Sequence, residues 1–178
     1  MAPWVTGEIM RKILVGLTLM LFIYPVRAQT LSENRARCDS REPEVSIAGC
    51  TALIQSGQET NPGNQAVAYY NRGAAYYFKG LIDPSLADFN KAIALKSDDP
   101  NTLIGRGVVY LKKERYDQAI ADFTRAIALQ PDRASAYNAR GQAHEKKNER
   151  DKAISDYRAA LKFNPNDKSS REALERLK

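Results

Sequence analysis

The strongest constraint on this chain is a period. Gly73, Gly107 and Gly141 stand 34 residues apart, as do Ser85, Ala119 and Ala153, then Phe89, Phe123 and Tyr157, then Ala92, Ala126 and Ala160. Four columns that keep one register over three copies mean that one unit is used three times. A period of this length belongs to a stacked array, not to a single closed core. Within each unit the apolar residues recur at helical spacing: Leu86, Phe89 and Ile93 in the first copy, Ile120, Phe123 and Ile127 in the second, Ile154, Tyr157 and Leu161 in the third. No segment alternates as a strand would. The expectation is an all-α array of helix pairs, in which no pair buries its apolar stripe without its neighbours.

Local punctuation sets the limits of the helices. The first helix of each pair is expected near 65–79, 100–113 and 133–147, and the second over 84–96, 116–130 and 150–164. Asp83-Pro84 and Asp99-Pro100 read as an N-cap followed by proline in the first turn, Gly80 as a helix stop, and Pro131 and Pro165 as two more. Glycine inside a helix costs about 1 kcal/mol relative to alanine, so Gly73, Gly107 and Gly141 imply close helix approach. The facing small residues are expected to be Ala92, Ala126 and Ala160, with Phe89, Phe123 and Tyr157 filling the wedge between pairs.

The ends read differently. Met10-Arg11-Lys12 followed by the apolar run Ile13–Ile23 and by Val26-Arg27-Ala28 has the form of a signal peptide over residues 1–28, cleaved before Gln29, with Met10 as a second candidate start. The apolar run of 11 residues falls short of the roughly 20 that a spanning helix needs. Residues 29–64 form an N-terminal cap segment, polar and loosely held over 30–41 apart from Cys38, helical over about 43–57, and looped over 58–64. In an oxidising compartment Cys38 and Cys50, the two cysteines present, are a disulfide candidate. The alternative is a buried thiol at Cys50 and an unrelated free Cys38. A charged last helix over 168–177, with Ala173, Leu174 and Leu177 on one side, suits the end of a stack.

Composition excludes some functions. Mean hydropathy is −0.50, which rules out a multi-span membrane protein. Without residues 1–28 the chain keeps 24 basic and 20 acidic residues with signs interspersed, not the clustered basic face of a nucleic-acid binder. The single histidine, His144, lacks a second histidine or a cysteine nearby, and reads as a packed ring instead of a metal ligand or base. No nucleophile elbow or glycine-rich phosphate loop occurs. Neither an enzyme, a metal site nor a cofactor is expected.

These columns resemble the tetratricopeptide repeat. The second unit carries Gly107, Tyr110, Ala119, Phe123, Ala126 and Pro131, with Leu103 for the early tryptophan. The first has Tyr69, Gly73, Tyr76, Phe89 and Ala92, but Ser85 for alanine and Ser97 for proline. The third has Tyr137, Gly141, Ala153, Tyr157, Ala160 and Pro165, with His144 where tyrosine is usual. The resemblance covers 66–167 as three repeats (66–99, 100–133 and 134–167) and implies an α-solenoid with an N-terminal cap helix and a C-terminal capping helix. With the leader and the cysteine-bearing cap, it is similar to exported bacterial repeat proteins, periplasmic or secreted. Arg72, Arg106 and Arg140 stand where the family has leucine, and recur with Asp88, Asp122 and Asp156. Pairing across helices is one reading of these charges, a solvated template the other.

The resemblance further implies protein–protein interaction, as adaptor, scaffold or assembly factor, through a concave groove lined by the first helix of each pair. By position the groove holds Tyr70, Asn71, Ala74, Tyr77 and Phe78, then Asn101, Ile104, Val108 and Leu111, then Asn138, Gln142 and Glu145. The partner is expected to be a protein or peptide, with no nucleic acid and no membrane contact after leader cleavage. A self-associating structural subunit is the alternative. Relatives that clamp the carboxylate end of heat-shock chaperones use lysine, asparagine and arginine where this chain has Tyr70, Ala74, Gly105, Ser135 and Ala139, so that ligand is not implied.

Overall fold

A computed structural model describes residues 30–178; the expected signal peptide lies outside the described residues. Nine α-helices occur among them, and no strand: α1 (Leu31–Cys38), α2 (Pro43–Ser56), α3 (Pro62–Phe78), α4 (Ile82–Leu95), α5 (Pro100–Lys112), α6 (Tyr116–Leu129), α7 (Ala134–Lys146), α8 (Arg150–Phe163) and α9 (Lys168–Arg176). They pack in chain order, each of α3, α5 and α7 against its own partner and against the second helix of the preceding pair. The three repeats read from the sequence are therefore α3–α4, α5–α6 and α7–α8.

The glycine column has a sharper cause than the one expected. A Cβ added at Gly107 would stand 2.5 Å from the Phe123 ring, and one at Gly141 2.9 Å from the Tyr157 ring. The aromatic of the same repeat, not the alanine column, is what the glycine accommodates. Ala126 packs instead with Leu103 and Ala136. A Cβ at Gly105 would come 2.7 Å from Phe89 of the preceding repeat. Ala139 and Ala173 hold the same place and cluster with Phe123 and Tyr157. Each ring is thus gripped between a glycine of its own hairpin and a small residue of the next.

That geometry predicts unequal responses to one substitution. Gly107→Ala gains helix propensity of about 1 kcal/mol but forces a fully buried ring out of place, an overpacking cost of roughly 1–3 kcal/mol. Gly73→Ala meets neighbours only at 3.3 Å, a contact that a small shift relieves. Urea unfolding of both variants is expected to show Gly107→Ala destabilised and Gly73→Ala close to the parent.

The last helix continues the pattern. Ser170 Oγ donates to Asp167 Oδ2, as Thr102 Oγ1 does to Asp99 Oδ2. With Ala173 in the Gly105 position, α9 packs on α8 as the first helix of each repeat packs on the pair before it. Leu174 and Leu177 pack on the core, while Lys168, Arg171, Glu172 and Glu175 face water.

Three local expectations need correction. Residues 31–38 are helical, not loosely held. Eight residues cannot sustain a helix in isolation, so α1 depends on what it lies against. A Cβ at Gly49 would stand 2.5 Å from Arg37 Cβ and 2.6 Å from the Cys38 backbone nitrogen, so the two helix backbones touch there. Ser46 Oγ donates to the Cys38 carbonyl at 2.9 Å, and Arg35 Nε donates to the buried Glu59 at 3.0 Å. The Cys38 and Cys50 sulfurs are bonded, with Cα atoms 4.4 Å apart. Second, α3 starts at Pro62, inside the expected loop, because the Asn61 side chain accepts from the amides of Gly63 and Asn64. Third, Asp83 is no cap. Leu81 holds the cap position of α4, and Asp83 lies in the first turn with its carboxylate on Lys113. Asp99 does cap α5, accepting from Thr102 N at 2.9 Å.

Candidate functional site

Consecutive first helices touch, α3 with α5 and α5 with α7, whereas consecutive second helices have no comparable contact. An array tight on one side and splayed on the other curves, and α3, α5 and α7 form its inner wall.

Two charge series hold that curvature in register. Arg72, Arg106 and Arg140 each donate through Nε and a terminal nitrogen to both oxygens of Asp88, Asp122 and Asp156, at 2.7–2.9 Å. The remaining terminal nitrogen reaches back to the preceding unit: to Thr51, Asn90 and Thr124 in turn. Each guanidinium therefore joins three helices of two units. The carboxylates are at most 8 % exposed, so the pairing reading holds and the solvated one does not. The hydrogen bonds to aspartate hold all three guanidiniums above the ordinary arginine pKa.

A second series was not read from the sequence, although its period is the same. Lys79, Lys113 and Lys147, at the turn of each hairpin, donate to Glu44, Asp83 and Asp117 of the preceding second helix, each at 2.5 Å. Glu44 aligns with Asp117 only after the longer loop between α2 and α3 is allowed for, which hides the match.

His144 is packed in the third repeat. Its Nδ1 lies 2.5 Å from Glu149 Oε2 and its Nε2 3.8 Å from Asp156 Oδ2. The ring's hydrogen bond, with Lys152 and Lys147 nearby, pulls the Glu149 carboxyl from an ordinary 4.5 down to about 2. Lysine partners likewise hold Glu44 and Asp83 below the usual range. A depressed carboxylate contributes stability above its unfolded pKa and loses it as pH falls through the folded one. The third turn is therefore expected to stay fastened at pH 5 and to loosen between about 4.5 and 2, which carbon-detected titration of the Glu149 carboxyl would show. Among the described residues no group of three or more acidic, histidine or cysteine side chains is placed to hold a metal.

The predicted groove residues divide into three sets. Tyr70, Ala74, Tyr77 and Phe78 of α3 meet Asn101, Ile104 and Val108 of α5 around an open groove of about 240 Å3, which Phe89, Gly105 and Arg133 also line. Phe78 is 78 % exposed, an unusual position for so large an apolar side chain. Asn71 turns toward the cap, donating to Asp39 Oδ1 at 2.9 Å, and Leu111 packs into the cluster around Phe123. In the third repeat the chain meets itself. Asn138 donates to Asp167 and Ser170, and Gln142 donates to Asn138. Glu145 accepts from Tyr157 at 2.9 Å and from Arg176 of α9. Sequence reasoning missed Phe89 and Arg133 as groove residues, since the first was read as core and the second only as the start of a helix, while Gly105 was noted for its family position but not as lining.

Comparison with known proteins agrees with this architecture. The sequence pattern described as "Tetratricopeptide repeat" matches residues 66–99 and 104–168. Among curated proteins no sequence matches. Among solved structures, the Arabidopsis OM64 TPR domain is similar at 25% identity and a TM-score of 0.65, over 66% of this chain and 97% of that one. The second TPR domain of human RPAP3, in complex with an HSP70 peptide, is similar at 25% identity and a TM-score of 0.62, over 65% and 97%. MamA from Desulfovibrio magneticus RS-1, at 21% identity and a TM-score of 0.72 over 84% and 82%, shares the fold. With its columns, its helix hairpins and these matches in one register, the chain belongs to the tetratricopeptide repeat family.

Proposed function

We propose that this protein–protein interaction module receives a polypeptide segment in the groove between α3 and α5, and that it does so outside the cytoplasm. The observation that supports groove binding most is the aromatic cluster of Tyr70, Tyr77 and Phe78, left open on the inner wall and opposed by Ile104 and Val108. Aromatic side chains in a water-facing concavity are the usual anchors of an interface. The third repeat plays a different part: its polar inner residues engage α9, so the partner's apolar contacts fall on the first two repeats. Export rests on the leader pattern of residues 1–28 and on the Cys38–Cys50 bond, which an oxidising compartment would maintain. No helix among the described residues is long and apolar enough to cross a membrane.

A photoreactive side chain at Tyr77, tested in the native cell, is expected to cross-link one discrete partner, and Phe78→Asp to abolish the adduct. The same probe at Leu129, on the outer side, should yield none. Adducts of equal strength from both positions would contradict groove binding. A mature protein beginning at Gln29 with no free thiol is the expected state; a retained leader with two titratable thiols would contradict export.

A further inference from the structure

We infer that the N-terminal cap holds a binding site of its own, for a free apolar amino acid, in a pocket between the α1–α2 turn and α3. The cap keeps the register of a repeat. Ser46 Oγ donates to the Cys38 carbonyl as Ser85 Oγ does to that of Gly73. Thr51 accepts from Arg72 as Asn90 does from Arg106. Cys50 bonds to Cys38 where, in the first repeat, Phe89 lies against Gly73. The serine and its acceptor are 12 residues apart in that repeat but 8 in the cap, a loss of about one helical turn. Accordingly α1 stops at Cys38, whereas α3 runs past Gly73 to Phe78. The last turn of α3 therefore lacks the neighbour that a full-length first helix would give it. What is left is a pocket of about 320 Å3 whose lining includes Asp39, Arg41, Pro43, Asn71, Ala74 and Phe78. It lies on the cap side of α3 and the groove on the α5 side, with Ala74 and Phe78 common to both. Occupancy of one does not require occupancy of the other.

The lining chooses the ligand. Pro43, Ala74, Ala75 and Phe78 give an apolar wall, and the volume, at the lower end for ligand sites, suits a molecule the size of one residue. The charged members of the lining, Asp39 and Arg41, are exposed, opposite in sign and neighbours on one turn. Neither joins an ion pair among the described residues, and Asp39 Oδ1 accepts from the neutral Asn71 amide at 2.9 Å. Of the other carboxylates nearby, Glu44 is held by Lys79 and Glu42 lies outside the lining. A carboxylate and an ammonium on one carbon satisfy such a pair: the first accepts from Arg41, and the second donates to Asp39. The side chain then rests on Pro43, Ala74 and Phe78. A residue inside a polypeptide carries neither charge, so the pocket takes the free amino acid and not a peptide segment.

Amide NMR spectra of the oxidised protein, titrated with phenylalanine, test this. Saturable shifts are expected at Ala74, Ala75 and the Asn71 side chain. N-acetylphenylalanine amide, which keeps the ring and loses both charges, is expected to bind at least tenfold more weakly. Arg41→Gln and Asp39→Asn should each weaken phenylalanine binding at least tenfold with circular dichroism and melting temperature unchanged. Both side chains sit on an exposed turn, and asparagine keeps the acceptor for Asn71. Equal affinity for the neutral amide, or unchanged affinity in either variant, would overturn the zwitterion site. Shifts centred on Ile104 and Val108 would place the ligand in the groove instead, and the absence of any saturable shift would remove the site altogether.

Discussion

Asp122→Ala is expected to cost the protein about 3 kcal/mol. The Arg106 guanidinium that Asp122 holds is only 20 % exposed and lies 5.6 Å from the centroid of the Tyr110 ring. Without the carboxylate, two charge-assisted hydrogen bonds vanish and a cation stays in a site with little water. Hydrogen bonds to charged groups are worth about 1.5–3 kcal/mol, and the orphaned charge adds its own penalty. The site is also central, so a loosened α6 affects packing on both sides. Lys113→Ala supplies the control: its partner Asp83 is 82 % exposed, and the loss should stay below about 1 kcal/mol. Replacing Arg106 by methionine in the Asp122→Ala background should recover much of the stability. Urea titrations of the three variants measure this, and an Asp122→Ala effect no larger than that of Lys113→Ala would refute it.

Breaking the Cys38–Cys50 bond has an expected effect of similar size confined to one end. Closing a loop of this length removes chain entropy from the unfolded state worth about 3 kcal/mol. For a chain of this size that corresponds to a melting temperature lower by roughly 6–12 °C. Both sulfurs are almost fully buried, so the Cys38→Ser with Cys50→Ser variant is a cleaner test than added reductant. Hydrogen exchange should accelerate over Leu31–Cys38 first, because α1 is too short to persist once detached. The hairpins from α5 onward should keep their protection. Uniform loss of protection along the array would mean that α1 belongs to the cooperative core and is no local clasp.

How far the residues announced this structure depends on which contacts repeat. The Arg72 and Asp88 columns were legible because two more copies share their spacing, but whether the charges pair or face water was left open until their burial was seen. The same logic would have found Lys79, Lys113 and Lys147, but their partners lie one unit back and the first, Glu44, sits behind a loop of different length. Periodicity also gives a position in the unit without its direction: Gly107 was visible as a site of close approach, while its neighbour, the Phe123 ring instead of Ala126, was not. The helix α1 was invisible for another reason. Its residues carry no apolar stripe, and its stability comes from Gly49, Cys50 and Glu59, all supplied from elsewhere in the chain. Asp83 misled because Asp-Pro at a helix start serves as a cap at Asp99, where Thr102 completes it, and as a tether at Asp83, where Lys113 draws the carboxylate away. In the groove, family position marked the residues of α3 and α5 but could not foresee that Asn138 and Glu145 are taken by α9.

The likeness of α9 to the first helix of a repeat gives the molecule a ready seam. Because Asp167, Ser170 and Ala173 already offer a newcomer the surface that Asp99, Thr102 and Gly105 offer α4, a further copy of residues 100–133 could be spliced in ahead of α9 without a new joint being invented. Lengthening by duplication is built into such a boundary, and reach along a partner can grow one increment at a time while the anchoring end stays unchanged.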